Sequence, residues 1–198
     1  ALGVPLGIVA ALRRSTWLDT AATAVAAIGL STPIYWSGLV AILVFSLHLD
    51  WLPATGQGDP RHLVLPALVL GFALSGSIAR MVRARMIEVM EEPFVLAARA
   101  RGTPPWRILL LHVLRPALPP ALTVIALQIG FLLGGAVVTE SVFARQGLGK
   151  LAIEAIEWRD LPVVQGVVVF GALAYTLVNL AADLAQAWLN PRLREELA

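Results

Sequence analysis

The chain has 198 residues, 58% of them hydrophobic and 14% charged, with a mean hydropathy of +0.78 and a formal charge of +2. A water-soluble domain is nearer half apolar and a quarter charged, so lipid is the expected solvent for most of this chain. It has no cysteine, which excludes disulfides, iron–sulfur clusters and thiolate metal sites, and its few positive charges form no stripe that would track nucleic acid.

Residues 1–12, ALGVPLGIVAAL, read as the last part of a span. The chain opens inside an apolar run, and the basic pair Arg13-Arg14 follows that run rather than preceding it. A secretory signal has the opposite order, so the expectation is a chain with sequence missing upstream. Residues 20–49 then carry no Lys, Arg, Asp or Glu, a run of 30. The same holds for 62–79 (18 residues), 116–139 (24) and 161–182 (22). A helical crossing takes about 20 apolar residues. The predicted fold is therefore all-α and polytopic, with four full spans plus a partial one. Arg80, Arg83 and Arg85 predict that the 62–79 span projects past the membrane.

Arginine counting orients these spans. With Arg13-Arg14 in the cytoplasm, that side holds 11 of the 15 basic residues, and Arg61, Arg145, Lys150 and Arg159 fall on the other. The positive-inside rule favours this arrangement. It places the C-terminus in the cytoplasm and turns the 48–61 and 141–160 loops outward. Trp17, Trp51, Trp158 and Trp188 fall at predicted interfaces, as an aromatic belt does.

The span order is interrupted by VLAARARGTPPWRILLLHVLRPALPP, residues 95–120. Pro93 after Glu91-Glu92 suits a first helical turn. A short helix 94–101 is predicted to end at Gly102 in a left-handed cap. Thr103 then reads as an N-cap with Pro104 opening the next helix, and that helix, 105–114, is expected to break or kink at Pro116, Pro119 and Pro120. Ala97, Ala98 and Gly102 offer a surface of small residues, and Arg99 and Arg101 offer fixed charges to acidic groups of a partner. The same composition also fits a basic loop lying on anionic lipid.

Other polar residues are sparse. Glu140 ends the 116–139 run, which fits either the mouth of a translocation path or a helix end in the headgroups. Asp183 reads as structural, with Arg192 as a possible partner. Gln128, Gln165 and Asn179 lie inside spans, where interhelical hydrogen bonding is the ordinary role; Gln128 and Gln165 are also candidates for lining a path. Gly130, Gly134 and Gly135 form a small-residue face suited to a second subunit. Glu154, Glu157 and Asp160 form a charged external face, read as solvated or as a contact for a solute-binding protein. Gln146–Lys150 has glycines but lacks the spacing and the Ser/Thr of a phosphate loop, so it reads as a turn. His48, His62 and His112 are scattered and predict no metal site, and no catalytic set is visible.

The interrupting stretch resembles the EAA loop of ABC-importer permeases. Ala97-Ala98, three residues, Gly102, nine residues and Leu114 keep that spacing, while Leu96, His112 and Arg115 replace the pattern's Glu, Ile and Pro. FVLAARARG (94–102) is similar to the loop of the peptide/nickel branch. VFARQGLG followed by RDLPVVQG resembles the first, B-type permease of that branch, and the likeness extends over nearly the whole chain. The resemblance implies a single permease domain over 1–198 with the ABC-importer (MetI-like) fold, a cytoplasmic coupling loop at 93–114, and further helices upstream. It implies an ATPase-docking role for Ala97, Ala98, Arg99, Arg101, Gly102, Thr103, Pro104 and Trp106. It implies half of a transmembrane path for di- or oligopeptides in a prokaryotic inner membrane, with Gln128, Glu140 and Gln165 as tentative path residues. The implied partners are a second homologous permease, two cytoplasmic ATPase subunits that bind the ATP and Mg, an extracytoplasmic solute-binding protein and membrane lipid. The chain itself is then no enzyme and holds no cofactor. Nickel or another small solute, or a self-contained secondary transporter or channel, are the alternatives.

Overall fold

The computed structural model describes residues 2–189, with the side chains of 133–135 left aside. All regular structure among them is helical. The helices are α1 (Gly3–Leu12), α2 (Trp17–Ser31), α3 (Ile34–Ala41), α4 (Arg61–Met90), α5 (Pro93–Ala100), α6 (Pro105–Arg107), α7 (Arg115–Gly135), α8 (Val137–Val142), α9 (Leu148–Glu157) and α10 (Leu161–Leu189). Two seven-residue π-helical stretches, Ile42–His48 and Ile108–Leu114, continue α3 and precede α7.

By length and composition three helices can cross a membrane: Arg61–Met90, Pro105–Leu132 and Leu161–Leu189. The expected fourth full span is not one rod. Trp17–Ser31 and Ile34–His48 are bent by 105° at the break between them. Thr32-Pro33 is the cause, since a residue before proline is pushed out of the helical region and Pro33 sits at φ −59°, ψ 134° as the N-cap of α3. Counting charges detects apolarity but not this change of backbone direction. The 62–79 run belongs to a longer helix: α4 has 30 residues, about 45 Å against a hydrocarbon layer of about 30 Å, a length that fits the projection expected from its arginines.

Pro66 lies inside α4 without ending it. Its missing N–H would have served the His62 carbonyl, and Arg145 Nη1 donates to that oxygen instead, at 3.5 Å. At Pro116 the helix does not break either. The ladder changes from π to α at Arg115, so Pro116 falls in a first turn whose N–H groups lack α-helical acceptors. Pro119 and Pro120 remain inside α7.

Contacts divide the chain into two compact units. Among the described residues, the first gathers 2–28, 75–127 and 179–189. Its core is Ala11, Val82, Met86, Val95, Ala98, Ile108, Val113, Ala117 and Ala121. In it α1 meets α4 backbone to backbone: a Cβ on Gly3 would lie 2.7 Å from the Ser75 carbonyl oxygen, and one on Gly7 would lie 2.7 Å from that of Ala79. Thr123 Oγ1 donates to Gln186 Oε1 at 3.4 Å, joining α7 to α10. The second unit comprises Gly29–Leu74 and Gln128–Val178, with Leu65, Val69 and Phe143 at its centre. Trp17, Trp51, Trp158 and Trp188 are all strongly exposed, as side chains at a lipid–water boundary should be. No described residue of α10 is buried, as expected of a helix whose solvent is lipid or another subunit.

Candidate functional site at the basic corner

The corner between α4 and α7 belongs wholly to the first unit. Glu92 is the N-cap of α5, in extended conformation (φ −67°, ψ 143°), and Pro93 takes the first position. The helix ends where the sequence predicted, by a specific motif. Gly102 has φ +73°, its N–H donates to the Arg99 carbonyl at 3.0 Å, and the Thr103 N–H donates to the Ala98 carbonyl at 3.2 Å. This pair of bonds is the Schellman motif. Thr103 is therefore not the N-cap of the next helix. Its N–H closes the preceding one, and the cap is Pro104 (φ −62°, ψ 142°), with Pro105 at the first position of α6.

One face of α5 is fixed and the other is presented. Val95 and Ala98 have no exposed surface and pack with Val82, Met86 and Ile108. Ala98 is thus core, and the small-residue surface expected of it is supplied by Ala97, Ala100 and Gly102, which are exposed. Phe94, Leu96, Arg99, Arg101, Pro104 and Trp106 are also exposed. The Arg107 guanidinium lies 5.6 Å from the Trp106 ring centroid, within cation–π range. Behind the turn is a cavity of about 380 Å³ whose lining includes Leu12, Met90, Arg99, Thr103 and Ile108. The corner is basic and carries an exposed aromatic side chain, and its apolar root packs into the core.

The residues tentatively assigned to a path lie elsewhere. Gln128 is half-buried and Gln165 exposed. Glu140 sits in α8, and its Oε2 accepts the Lys150 N–H at 2.7 Å. Lys150 is in the first turn of α9, where N–H groups lack helical acceptors, so the carboxylate caps that helix. A Cβ on Gly147 would collide with the same carboxylate, and one on Gly149 would come within 3.1 Å of it. The glycine turn thus cradles an internal anion, in keeping with its reading as a turn. Asp160 also caps: its Oδ1 accepts the Val163 N–H at 3.2 Å at the start of α10. Gly130 faces the Tyr175 ring within its own unit. Asp183 is exposed. Arg192, Arg194 and the C-terminus lie outside the described residues.

Sequence reasoning passed over Asp19. It is 6% exposed and receives a forked pair of bonds from Arg83, Nε to Oδ1 at 2.7 Å and Nη2 to Oδ2 at 2.8 Å. The signal was available: Asp19 is the single charge between Arg14 and Asp50, while Arg83 served only to orient the spans and to extend the 62–79 span. The Gly3–Gly7 pair was likewise passed over in favour of Gly130–Gly134.

An all-helical chain with several apolar helices and a buttressed basic corner is the architecture of a polytopic permease subunit. Comparison with known proteins makes this specific. Residues 3–195 match the family described as binding-protein-dependent transport system inner membrane component, and the chain belongs to that family. It is 40% identical to the di/tripeptide transport system permease protein DppB of Pseudomonas aeruginosa (strain UCBPP-PA14), over 98% of this chain and 66% of that one. It is also 40% identical to the glutathione transport system permease protein GsiC of Escherichia coli (strain K12), over 97% of this chain and 63% of that one. The chain therefore spans slightly less than two thirds of the length of these relatives. Among solved structures, an inward-facing conformation of the MetNI methionine ABC transporter has a TM-score of 0.76 at 21% identity, covering 96% of this chain and 86% of that one. That likeness supports the fold.

Proposed function

We propose that the chain forms half of the transmembrane path of an ATP-driven importer of short peptides in a prokaryotic inner membrane. A second homologous permease supplies the other half, and an extracytoplasmic binding protein delivers the solute. Two cytoplasmic ATPase subunits bind ATP and Mg and perform the hydrolysis, and the C-terminus faces them. The di/tripeptide and glutathione permeases named above both handle peptides of two or three residues, which supports that solute class. Gln128 and Gln165 are candidates for the path. Glu140 is the weaker one, because one of its oxygens is committed to capping α9.

The observation that carries the reading is the two-sided corner at 93–114. Its inner face is sealed into the core through Val95 and Ala98, while Arg99, Arg101 and Trp106 point outward. An exposed tip on a rigid root is what a lever requires. In the proposed cycle ATP binding closes the ATPase dimer, the cleft holding the corner shifts, and the displacement enters the helices through the packed root.

The test is Gly102→Arg in the assembled transporter. Apart from its chain neighbours, nothing lies within 4 Å of a Cβ at Gly102, so a side chain has open space there, and the positive φ adds a left-handed cost of about 1–2 kcal/mol. Uptake should be lost while the subunit remains folded. Normal uptake by this variant refutes the docking role. A lone cysteine at the exposed Arg101 should crosslink to an ATPase subunit, and crosslinking to lipid alone would favour a membrane-surface loop.

A further inference from the structure

Helix α2 meets α1 and α4 through alanines. Ala10, Ala22, Ala26 and Ala79 are all buried, and with Thr23 and Arg83 they surround a void of only about 10 Å³. Alanines permit close approach but raise shallow ridges, so such a seam resists axial sliding weakly. At one end of it sits the buried carboxylate of Asp19. Besides the two Arg83 bonds, it accepts the Ser15 N–H at 3.0 Å on Oδ2 and the Thr23 hydroxyl at 3.4 Å on Oδ1. Ser15 is held at φ +63° in the turn between α1 and α2. Both oxygens are thus committed to directional bonds from three separate residues. The nearby Arg14–Glu91 pair is different in kind: its side chains are 55% and 67% exposed, and water screens such pairs.

We propose that Asp19–Arg83 is a positioning clamp that fixes the register of α2 on α4, so that α1, α2 and α4 follow the α5 corner as one piece. The pair is partly buried, with the Asp19 side chain 9% and the Arg83 side chain 32% exposed, and setting register is the best-attested use of ion pairs taken out of water. The rest of the linkage is the shared core, in which Val95 and Ala98 of α5 touch the same cluster as Val82 and Met86 of α4 and Ala11 of α1. Arg83 lies on the turn between Val82 and Met86, so a displacement of the corner reaches the clamp through one helix. This inference rests on the transport reading above and names the residues through which its lever acts.

The experiment uses the complete transporter in proteoliposomes, with ATP hydrolysis and peptide uptake measured together. For Asp19→Asn, hydrolysis should stay within about twofold of wild type while peptide moved per ATP falls by about tenfold. Arg83→Lys should be intermediate, because an ammonium cannot reproduce the fork. The exchange Asp19→Arg with Arg83→Asp should restore much of the ratio. An unchanged ratio, or proportional loss of both activities, overturns the clamp. Should Asp19→Asn not assemble, the pair Asp19→Leu with Arg83→Met leaves no charge unpaired and decides by the same ratio.

A second readout separates the clamp from the solute. The chain has no native cysteine, so Ala22→Cys with Ala79→Cys can be bridged by a short bifunctional thiol reagent in membranes. Bridging should fall in the Asp19→Asn background, and unchanged bridging overturns the clamp whatever the transporter carries. A wild-type complex that hydrolyses ATP and moves no peptide overturns the transport reading, while the bridging result still judges the clamp.

Discussion

The bond between Glu140 and the glycine turn lends itself to a quantitative test. A carboxylate accepting a backbone N–H contributes about 1.5–3 kcal/mol, and its charge at a helix N-terminus adds about 0.3–1 kcal/mol. Glu140→Ala should therefore weaken the start of α9 by about 2–4 kcal/mol. Gly147→Ala probes the same site from the other side. Gly147 has φ −114° and ψ 178°, an ordinary conformation for alanine, so the backbone does not resist the substitution. The cost comes from the collision of the new Cβ with the Glu140 carboxylate and should be about 1–3 kcal/mol, as for other overpacked sites. The collision requires the carboxylate, so Gly147→Ala should cost under about 1 kcal/mol in the Glu140→Ala background, a coupling well above the usual additivity error. Hydrogen exchange at the Lys150 amide gives the local measure: opening should speed up by about 30–1,000-fold in Glu140→Ala and by about 5–150-fold in Gly147→Ala. Additive costs, or an unaltered Lys150 amide in Glu140→Ala, would refute the cap and return Glu140 to the path.

Three further outcomes follow from the geometry. Gly102→Ala introduces only the cost of a left-handed alanine, about 1 kcal/mol, so thermal unfolding followed by tryptophan fluorescence should shift slightly while uptake persists. This separates backbone strain from the docking block expected of Gly102→Arg. Asp160→Ala removes the cap of α10 and should cost about 1 kcal/mol, read as faster exchange at the Val163 amide with no change at Lys150. Gly7→Leu drives a side chain into the Ala79 carbonyl and Val82, each 2.7 Å from the added Cβ. It should separate α1 from α4 at a cost of about 3 kcal/mol, seen as reduced folded yield, whereas Leu at Gly71, where nothing lies within 4 Å, should be tolerated.

The corner was legible because its signals are local. Pro93, Gly102 and the Pro104-Pro105 pair act on their own dihedrals, and the first helix was placed to within one residue at each end. Thr103 misled because two motifs competed for it. A threonine before proline suits an N-cap, but a Schellman motif also needs the N–H after its glycine, and the structure uses that one. The 20–49 run misled for a related reason: charge counting is blind to Thr32-Pro33. What the sequence could not reveal was long-range pairing. Nothing near Asp19 names Arg83, 64 positions away; nothing near Pro66 names Arg145; and Glu140 finds its partner across a loop. Gly3–Gly7 had the right spacing for close packing, as did Gly130–Gly134, and only the partner helix tells which pair uses it.

The prolines of α7 lead to a last prediction. On its α4 side the corner is stiff, with Val95 and Ala98 sealed into the core. On the other side the chain leaves through the π-helical stretch Ile108–Leu114 and then meets Pro116, Pro119 and Pro120. Pro116 is harmless in a first turn, but Pro119 and Pro120 each withhold a bond from the α7 ladder, at up to about 3 kcal/mol apiece. In the lever proposed above, one arm must be stiff and one must yield, and Pro119 and Pro120 would make α7 the yielding arm. Pro119→Ala with Pro120→Ala restores both N–H groups. The variant should unfold at a higher temperature than wild type, because an interior helix bond is regained at each position. In the proposed transporter it should also hydrolyse ATP normally while moving less peptide per ATP, since a stiffened α7 opposes the displacement that α5 imposes. Higher stability with unchanged peptide per ATP would show that compliance at Pro119-Pro120 plays no part in coupling, and lower stability would show that the two prolines are required by packing instead.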